Sequence, residues 1–345
     1  MMSAELHSQS REPGAWRRFE AVRSSQALER IRTHVQRTRL ERLACGDSRV
    51  ELRAKLENTQ ATGSFKARGA WNQIAQLTPA QRASGVVCAS SGNHGQAVAW
   101  VAREAGVRAT IVMPANAYAN KIAACREHGA EVVLMPTRVA ADEEVARRVA
   151  KGAVLVHPYD AERTLEGAGT VGLEIAREWP EVEVLLICVG GGGLAAGSSL
   201  AVRQELGDAV RIFGVEPQGA PTLTQGLAAG APVHPPITSK VQGLTPSYSG
   251  RINIEIAATT LDGTILLPDE WIYAGQKDLV RMGHKVEPAG AAAYAAAASR
   301  SLPEELYRGR SSAHPLRVAV TISGGNPDPA QYEALLAELA REGHA

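Results

Sequence analysis

From residue 86 onward the chain repeats one rhythm: a short apolar run, a turn, then a stretch with helical spacing of apolar positions. Val86-Val87-Cys88-Ala89 is the first run, followed by a Ser/Gly loop over 90–95 and helical spacing over 96–105. The runs 110–113 and 132–135 each end at a proline, with a helical stretch at 120–128 between them. A helix over 140–150 leads to Val154-Leu155-Val156, and later runs at 184–189, 211–215 and 316–322 continue the series. Apolar strands that alternate with helices predict a parallel sheet covered on both faces. Ahead of this region, Trp16, Phe19, Val22, Leu28, Ile31 and Val35 fall at helical spacing within 14–38, 50–57 alternates as a strand, and 67–77 reads as a helix. The alanine-rich stretch 289–298 predicts a closely packed helix. The expected fold class is α/β, with two domains, each a mostly parallel twisted sheet flanked by helices. The smaller domain is expected over 86–155, the larger over 1–85 plus 156–345, with the functional cleft between them.

Composition narrows the class. At 345 residues the chain is too long for one compact core and suits two domains of ordinary size. Hydrophobic content of 45% with 21% charged residues is that of a globular protein. A net charge of +1 gives no reason to expect nucleic acid or an anionic membrane as partner. The stretch 184–202 imitates a membrane span, with 19 uncharged residues, but five of them are glycine. Glycine costs about 1 kcal/mol per helical position relative to alanine, so strand, loop and helix is the better reading. The first nine residues contain no apolar segment, and no secretory leader is expected. Cys45, Cys88, Cys125 and Cys188 are scattered without Cys-x-x-Cys spacing, which suggests reduced thiols and a cytoplasmic protein.

Four stretches carry candidate chemistry. In Thr62-Gly63-Ser64-Phe65-Lys66, a lone lysine lies at the expected start of a helix, with Thr62 and Ser64 as N-cap residue types. The positive end of a helix disfavours the ammonium form, and a neutral lysine amine is a nucleophile toward an aldehyde such as pyridoxal phosphate. Taken alone, the stretch fits a surface lysine on a helix start better than a catalytic one. Gly190-Gly191-Gly192-Gly193-Leu194 follows a strand and opens a helix, where backbone amides converge on an anion. The same letters fit a dinucleotide fingerprint, Gly191-x-Gly193-x-x-Ala196, with Glu216 about where a ribose-binding acid belongs. The local window does not separate the two, but the dinucleotide reading leaves Lys66, Ser323 and the 90–94 loop unused. Ser323-Gly324-Gly325-Asn326 ends a strand, and its serine alone would be an ordinary turn residue. Ser90-Ser91-Gly92-Asn93-His94 can form a nest of amides and hydroxyls for a carboxylate. No pair of histidines has metal-ligand spacing and no Gly-x-Ser-x-Gly elbow occurs, so no metal is expected.

In this order, the four stretches resemble the fold type II, tryptophan-synthase-β-like pyridoxal phosphate enzymes, and within them the threonine/serine dehydratase and serine racemase branch. The resemblance runs from about residue 27 to 326 and includes His157-Pro158-Tyr159-Asp160, Glu166-Gly167-Ala168-Gly169-Thr170 and Glu287-Pro288-Ala289-Gly290. It implies pyridoxal 5'-phosphate in the cleft between the domains, with Lys66 and Ser91 as catalytic residues on the two sides of the substrate Cα. The implied cofactor contacts are Phe65 and Lys66, Asn93, the loop Gly190, Gly191, Gly192, Gly193 and Leu194 for the phosphate, Glu287 near the 3-oxygen, and Ser323 at the pyridine nitrogen. The implied substrate contacts are Ser90, Ser91, Asn93 and His94; a histidine in this loop marks dehydratases, whereas sulfhydrylases have threonine. The implied activity is that of an ammonia-lyase converting a β-hydroxy amino acid to an α-keto acid and ammonia, with a serine-type racemase or a non-catalytic ligand-binding relative as alternatives. A homodimer acting on a small amino acid is the implied assembly. The sequence also departs from the pattern. Thr38-Arg39-Leu40 replaces Thr-Pro-Leu, and Val241-Gln242-Gly243 replaces Ala-Asp-Gly, which opens the way to a substrate larger or more acidic than threonine. Asp142 aligns with a substrate-side arginine of the racemase. Thr222 replaces an aspartate that, with Glu216 and the carbonyl of Ala220, would bind a divalent cation, so insensitivity to chelators is expected. Only a short tail follows Asn326, and no allosteric module is expected there.

Overall fold

The computed structural model describes residues 3–343, so the reading of the first nine residues lies partly outside the described residues. Its strands are β1 (Glu5–Ser8), β2 (Leu40–Leu43), β3 (Val50–Leu56), β4 (Val86–Ala89), β5 (Ala109–Pro114), β6 (Glu131–Met135), β7 (Val154–Leu155), β8 (Val184–Cys188), β9 (Arg211–Pro217), β10 (Gly263–Leu267) and β11 (Leu316–Ile322). They form a 7-stranded sheet in the order β1-β10-β9-β8-β11-β3-β2 and a 4-stranded sheet in the order β6-β5-β4-β7. The smaller sheet is wholly parallel, as are the inner pairings of the larger one; only β1 and β2, at its two edges, run antiparallel. The fold is therefore the α/β arrangement of parallel sheets flanked by helices.

Uninterrupted apolar runs become central strands because both of their faces are covered. All five residues of β8 are buried, and the main core gathers β8, β9, β10 and β11 with the alanine helix Pro288–Ala298. The span-like stretch 184–202 is β8, a glycine turn and the helix Gly193–Leu206, and among the described residues no helix is long and apolar enough to cross a membrane. The helix Lys66–Ile74 joins a second core beneath the small sheet, where Ala67, Ala70, Trp71 and Ile74 meet Ile31, Val35, Val98 and Ile111. Its other side meets the helix Glu162–Glu178, which in turn packs on Gly193–Leu206. Glycines let these three helices approach at backbone distance. A Cβ on Gly167 would lie 2.6 Å from the Arg68 carbonyl oxygen, and one on Gly169 would lie 2.6 Å from that of Gly197. The Glu166–Thr170 motif is thus a packing device.

Between these layers lies a neutral quartet of buried charges. Arg68 pairs with Glu57 and Glu174, each at 2.8 Å, and Lys55 pairs with Glu174 at 2.7 Å. The Thr38 hydroxyl donates to Glu57 at 2.5 Å, and Lys55 donates to the Thr38 carbonyl at 2.6 Å. The quartet joins β3, the lysine-bearing helix and Glu162–Glu178.

Three local expectations change. The 14–38 stretch is a 3₁₀ turn, Ala15–Phe19, and a short helix, Ser24–Ile31, rather than one helical run. Helical bonding does not continue to residue 38 because Gln60 bonds both backbone groups of Gln36, and Arg68 also donates to the Gln36 carbonyl. Thr62 and Ser64 do not cap the next helix: Phe65 occupies the N-cap, and both hydroxyls lack a hydrogen-bond partner. The cause is a β-bridge between Ser64 and Gly324, which fixes that backbone for another purpose. Finally, β1, β2 and β10 were not evident from pattern, β1 because its four residues are all exposed.

Candidate active site

The C-terminal ends of parallel strands, where α/β sheets place their ligand sites, open into one cavity of about 430 Å³. The cavity brings together every site residue expected from the sequence. Phe65 and Lys66 line it, as do Ser90, Ser91, Asn93 and His94, the loop from Gly190 to Leu194, Glu287 and Ser323.

Lys66 is the first residue of its helix, and its Nζ donates to the Pro158 carbonyl at 2.8 Å, with the Phe65 ring centroid 4.8 Å away. Burial lowers its pKa to about 8. The segment before it is zipped to the Ser323 turn: Phe65 N–H donates to the Ser323 carbonyl at 3.1 Å and Gly325 N–H to that of Gly63 at 2.8 Å. The lysine and the serine, far apart in sequence, are thus held by one backbone contact.

The loop after β4 turns into the helix Asn93–Glu104, whose N-cap, Gly92, offers no side-chain cap. Ser90 Oγ accepts the Gly92 N–H at 3.3 Å. The Asn93 amide donates to Glu287 at 2.6 Å and accepts from the Asn326 amide at 2.9 Å. His94 Nε2 lies 2.8 Å from the Val156 carbonyl oxygen, which can only accept, so Nε2 carries the ring proton. Burial drops the His94 pKa to about 3 and keeps the ring neutral. Burial also raises the pKa of Glu287.

On the opposite strand end, Gly190–Gly193 leads into a 14-residue helix without a side-chain cap. Gly192 adopts φ 91°, which favours glycine. A Cβ on Gly191 would run into the Tyr159 ring, and one on Gly190 would come within 2.8 Å of the Gly243 carbonyl oxygen. The Gly191 carbonyl is held by Asn253 Nδ2 at 2.6 Å and Gly250 N–H at 3.1 Å. The loop is a preformed cradle whose helix N-terminus suits a phosphate.

Ser323 is 5% exposed, and it shares the cavity wall with Cys188. A lysine amine with a lowered pKa, an anion cradle and a neutral hydroxyl form the donor set that pyridoxal phosphate requires.

The sequence reading overlooked several residues. Arg138 lines the cavity, and its Nε contacts both carboxylate oxygens of Asp142 at 3.1 Å. Asp142 is the partner, one helical turn on, of an arginine at 138. An i, i+4 spacing of opposite charges was the available signal. Tyr159 and Cys188 were also missed as lining residues. Gln242 does not line the cavity; it donates to the Tyr118 hydroxyl at 2.5 Å.

Glu216 caps the helix Thr222–Ala229, accepting from the N–H groups of Leu223 at 2.8 Å and Thr224 at 2.9 Å and from the Thr224 hydroxyl at 2.6 Å. Burial outweighs these donors and pushes its pKa up to about 7. Among the described residues no group of three or more His, Cys, Asp or Glu is placed to hold a metal ion.

Fold and cavity together define an enzyme that works with pyridoxal phosphate. The chain belongs to the family described as pyridoxal-phosphate dependent enzyme, whose profile matches residues 31–324. It is 34% identical over 315 residues to a serine racemase of Oryza sativa subsp. indica, covering 90% of this chain and 91% of that protein. It is likewise 34% identical over 316 residues to an L-threo-3-hydroxyaspartate ammonia-lyase of a Pseudomonas species, covering 90% and 96%. The solved structure of the processed form of threonine deaminase isoform 2 from Solanum lycopersicum superposes with a TM-score of 0.88 at 28% identity, covering 98% of this chain and 92% of that one.

Proposed function

We propose that this enzyme is an ammonia-lyase that converts a β-hydroxy amino acid to an α-keto acid and ammonia by α,β-elimination. The observation that carries the reading is the neutral Ser323 hydroxyl in the cavity that also holds Lys66. A carboxylate at that position would stabilise a full positive charge on the pyridine ring and favour transamination; a hydroxyl suits elimination. When bound, the cofactor supplies a carbonyl to hold the substrate amino group and a ring to take up the electron pair left at Cα.

The protein's own groups do the rest. The Gly190–Gly193 amides hold the phosphate, and Ser90, Ser91 and Asn93 receive the substrate carboxylate. Lys66 takes the Cα proton, a task within reach of an amine whose pKa is about 8. His94, neutral and committed through Nε2–H to the Val156 carbonyl, shapes the loop and does not act as an acid near pH 7.

Arg138 supports the acidic side of the substrate range, since its guanidinium would bind a second carboxylate. The hydroxyaspartate ammonia-lyase among the relatives is consistent with this. Racemisation is the second reading, favoured by Ser91, which shares the cavity with Lys66. We further propose a cytoplasmic homodimer, which sedimentation would test.

Keto acid, ammonia and enantiomer release should be assayed with threonine, serine, phenylserine and 3-hydroxyaspartate. Ammonia and oxaloacetate from 3-hydroxyaspartate are expected to dominate. Arg138→Ala should raise KM for that substrate roughly 10- to 100-fold while leaving threonine little affected. Enantiomer exchange outpacing ammonia release would replace the lyase reading with the racemase. No turnover of any substrate by the fully loaded protein would support a ligand-binding role.

A further inference from the structure

β8 and β11 are neighbours in the large sheet, and their C-terminal ends bring Cys188 beside Thr321 and Ser323. Thr321 and Ser323, two residues apart, share one face, the face that meets Cys188. The Thr321 hydroxyl accepts the Cys188 N–H at 3.4 Å and donates to Cys188 Sγ at 3.8 Å. Ser323 lies beside that sulfur on the wall of the same cavity. Thr321, Cys188 and Ser323 are 0%, 3% and 5% exposed, so little of these groups meets bulk water.

Counting donors points to one direction for the chain. Thr321 spends its proton on the sulfur, so the thiol proton is free to go to Ser323 Oγ. The Ser323 O–H is then the unspent donor, and Ser323 lines the cavity. We propose that Cys188 is a positioning residue: its S–H donates to Ser323 Oγ and leaves the Ser323 O–H as the donor presented to the pyridine nitrogen of the cofactor. This rests on the reading of Ser323 as the partner of that nitrogen.

The direction matters because a hydroxyl can face a ring nitrogen in two ways. Presenting O–H, it needs the nitrogen lone pair and keeps the nitrogen unprotonated. Presenting an oxygen lone pair, it favours a protonated nitrogen and a stronger electron sink. Burial raises the thiol pKa, so the S–H stays in place at working pH. A buried cysteine is more often a small apolar filler, and the two roles separate on substitution: serine keeps a donor at this position, and alanine removes it.

The test is the ¹⁵N chemical shift of ring-labelled pyridoxal phosphate in the holoenzyme without substrate, with thermal melting to confirm folding. Wild type and Cys188→Ser should give the same unprotonated-ring resonance. Cys188→Ala should move it toward the protonated position and speed cofactor loss roughly fivefold. Thr321→Val, nearly isosteric, frees the thiol proton to turn elsewhere and should move it in the same sense. An unmoved resonance in Cys188→Ala, or a Cys188→Ser shift as large as that of Cys188→Ala, overturns the proposal. Ser323→Ala separates the layers. If it shifts the resonance while Cys188→Ala does not, only the thiol inference fails; if it leaves the resonance in place, the reading of Ser323 fails with it.

Discussion

Because burial lowers the Lys66 pKa to about 8, roughly one amine in ten is neutral at pH 7 without any neighbouring base. Only that fraction attacks an aldehyde. Reconstitution of the cofactor-free protein with pyridoxal phosphate should therefore speed up about tenfold from pH 6 to 7 and level off above pH 8. A stopped-flow pH series would show this, and a rate still climbing at pH 10 would mean that Lys66 keeps its ordinary pKa. Lys66→Ala should remain folded but leave no cofactor attached after borohydride reduction, as read by mass spectrometry. At this scale, the residues legible in the sequence were those whose motif also encodes a backbone shape: Lys66 before its helix, the glycine loop, and Ser323 ahead of two glycines. Arg138 was not, because its helix otherwise reads as a solvated face. Cys188 and Thr321 were not, because their meeting depends on the pairing of β8 with β11, two strands distant in sequence.

The glycine turn between β8 and the helix Gly193–Leu206 makes a sharper claim about an element. Its backbone is packed against the Tyr159 ring, so a methyl group at 191 displaces either the ring or the loop. Gly191→Ala should weaken cofactor binding by at least about tenfold, the result of moving amides that must converge on one phosphate. Equilibrium dialysis measures it; unchanged affinity would place the phosphate elsewhere. The sequence exposed such elements unevenly. Apolar strands between turns stood out, and so did the alanine helix. The loss of helix before residue 38 did not, since it arises from bonds between Gln36, Gln60 and Arg68 that no local pattern encodes. For the same reason the Thr62–Ser64 caps failed, because a tertiary bridge to Gly324 fixed that segment first.

Across the whole molecule, the quartet of Lys55, Glu57, Arg68 and Glu174 ties the lysine-bearing helix to the large sheet and to Glu162–Glu178. Removing one member strands the others in a dry interior. Arg68→Met should destabilise the protein by about 3–5 kcal/mol, since two buried carboxylates would then share one lysine. Denaturant unfolding of the holoenzyme reads this, and a midpoint equal to wild type would show that the charges contribute nothing net. Gly167 lets the two helices that carry Arg68 and Glu174 meet, and Gly169 lets the second of them pack on Gly193–Leu206.

The two antiparallel strands at the margins of the large sheet have a consequence for how the protein behaves in a crowded solution. Without β1 and β2, the sheet would end in β10 and β3, each offering a row of unpaired amides and carbonyls to any extended chain. Both guards come from the first 43 residues, so one short leading segment shields the two flanks of a sheet built mostly from later sequence. β1 buries none of its four residues and adds little cohesion. Its value is as a short edge that offers a neighbouring copy only four residues to pair with.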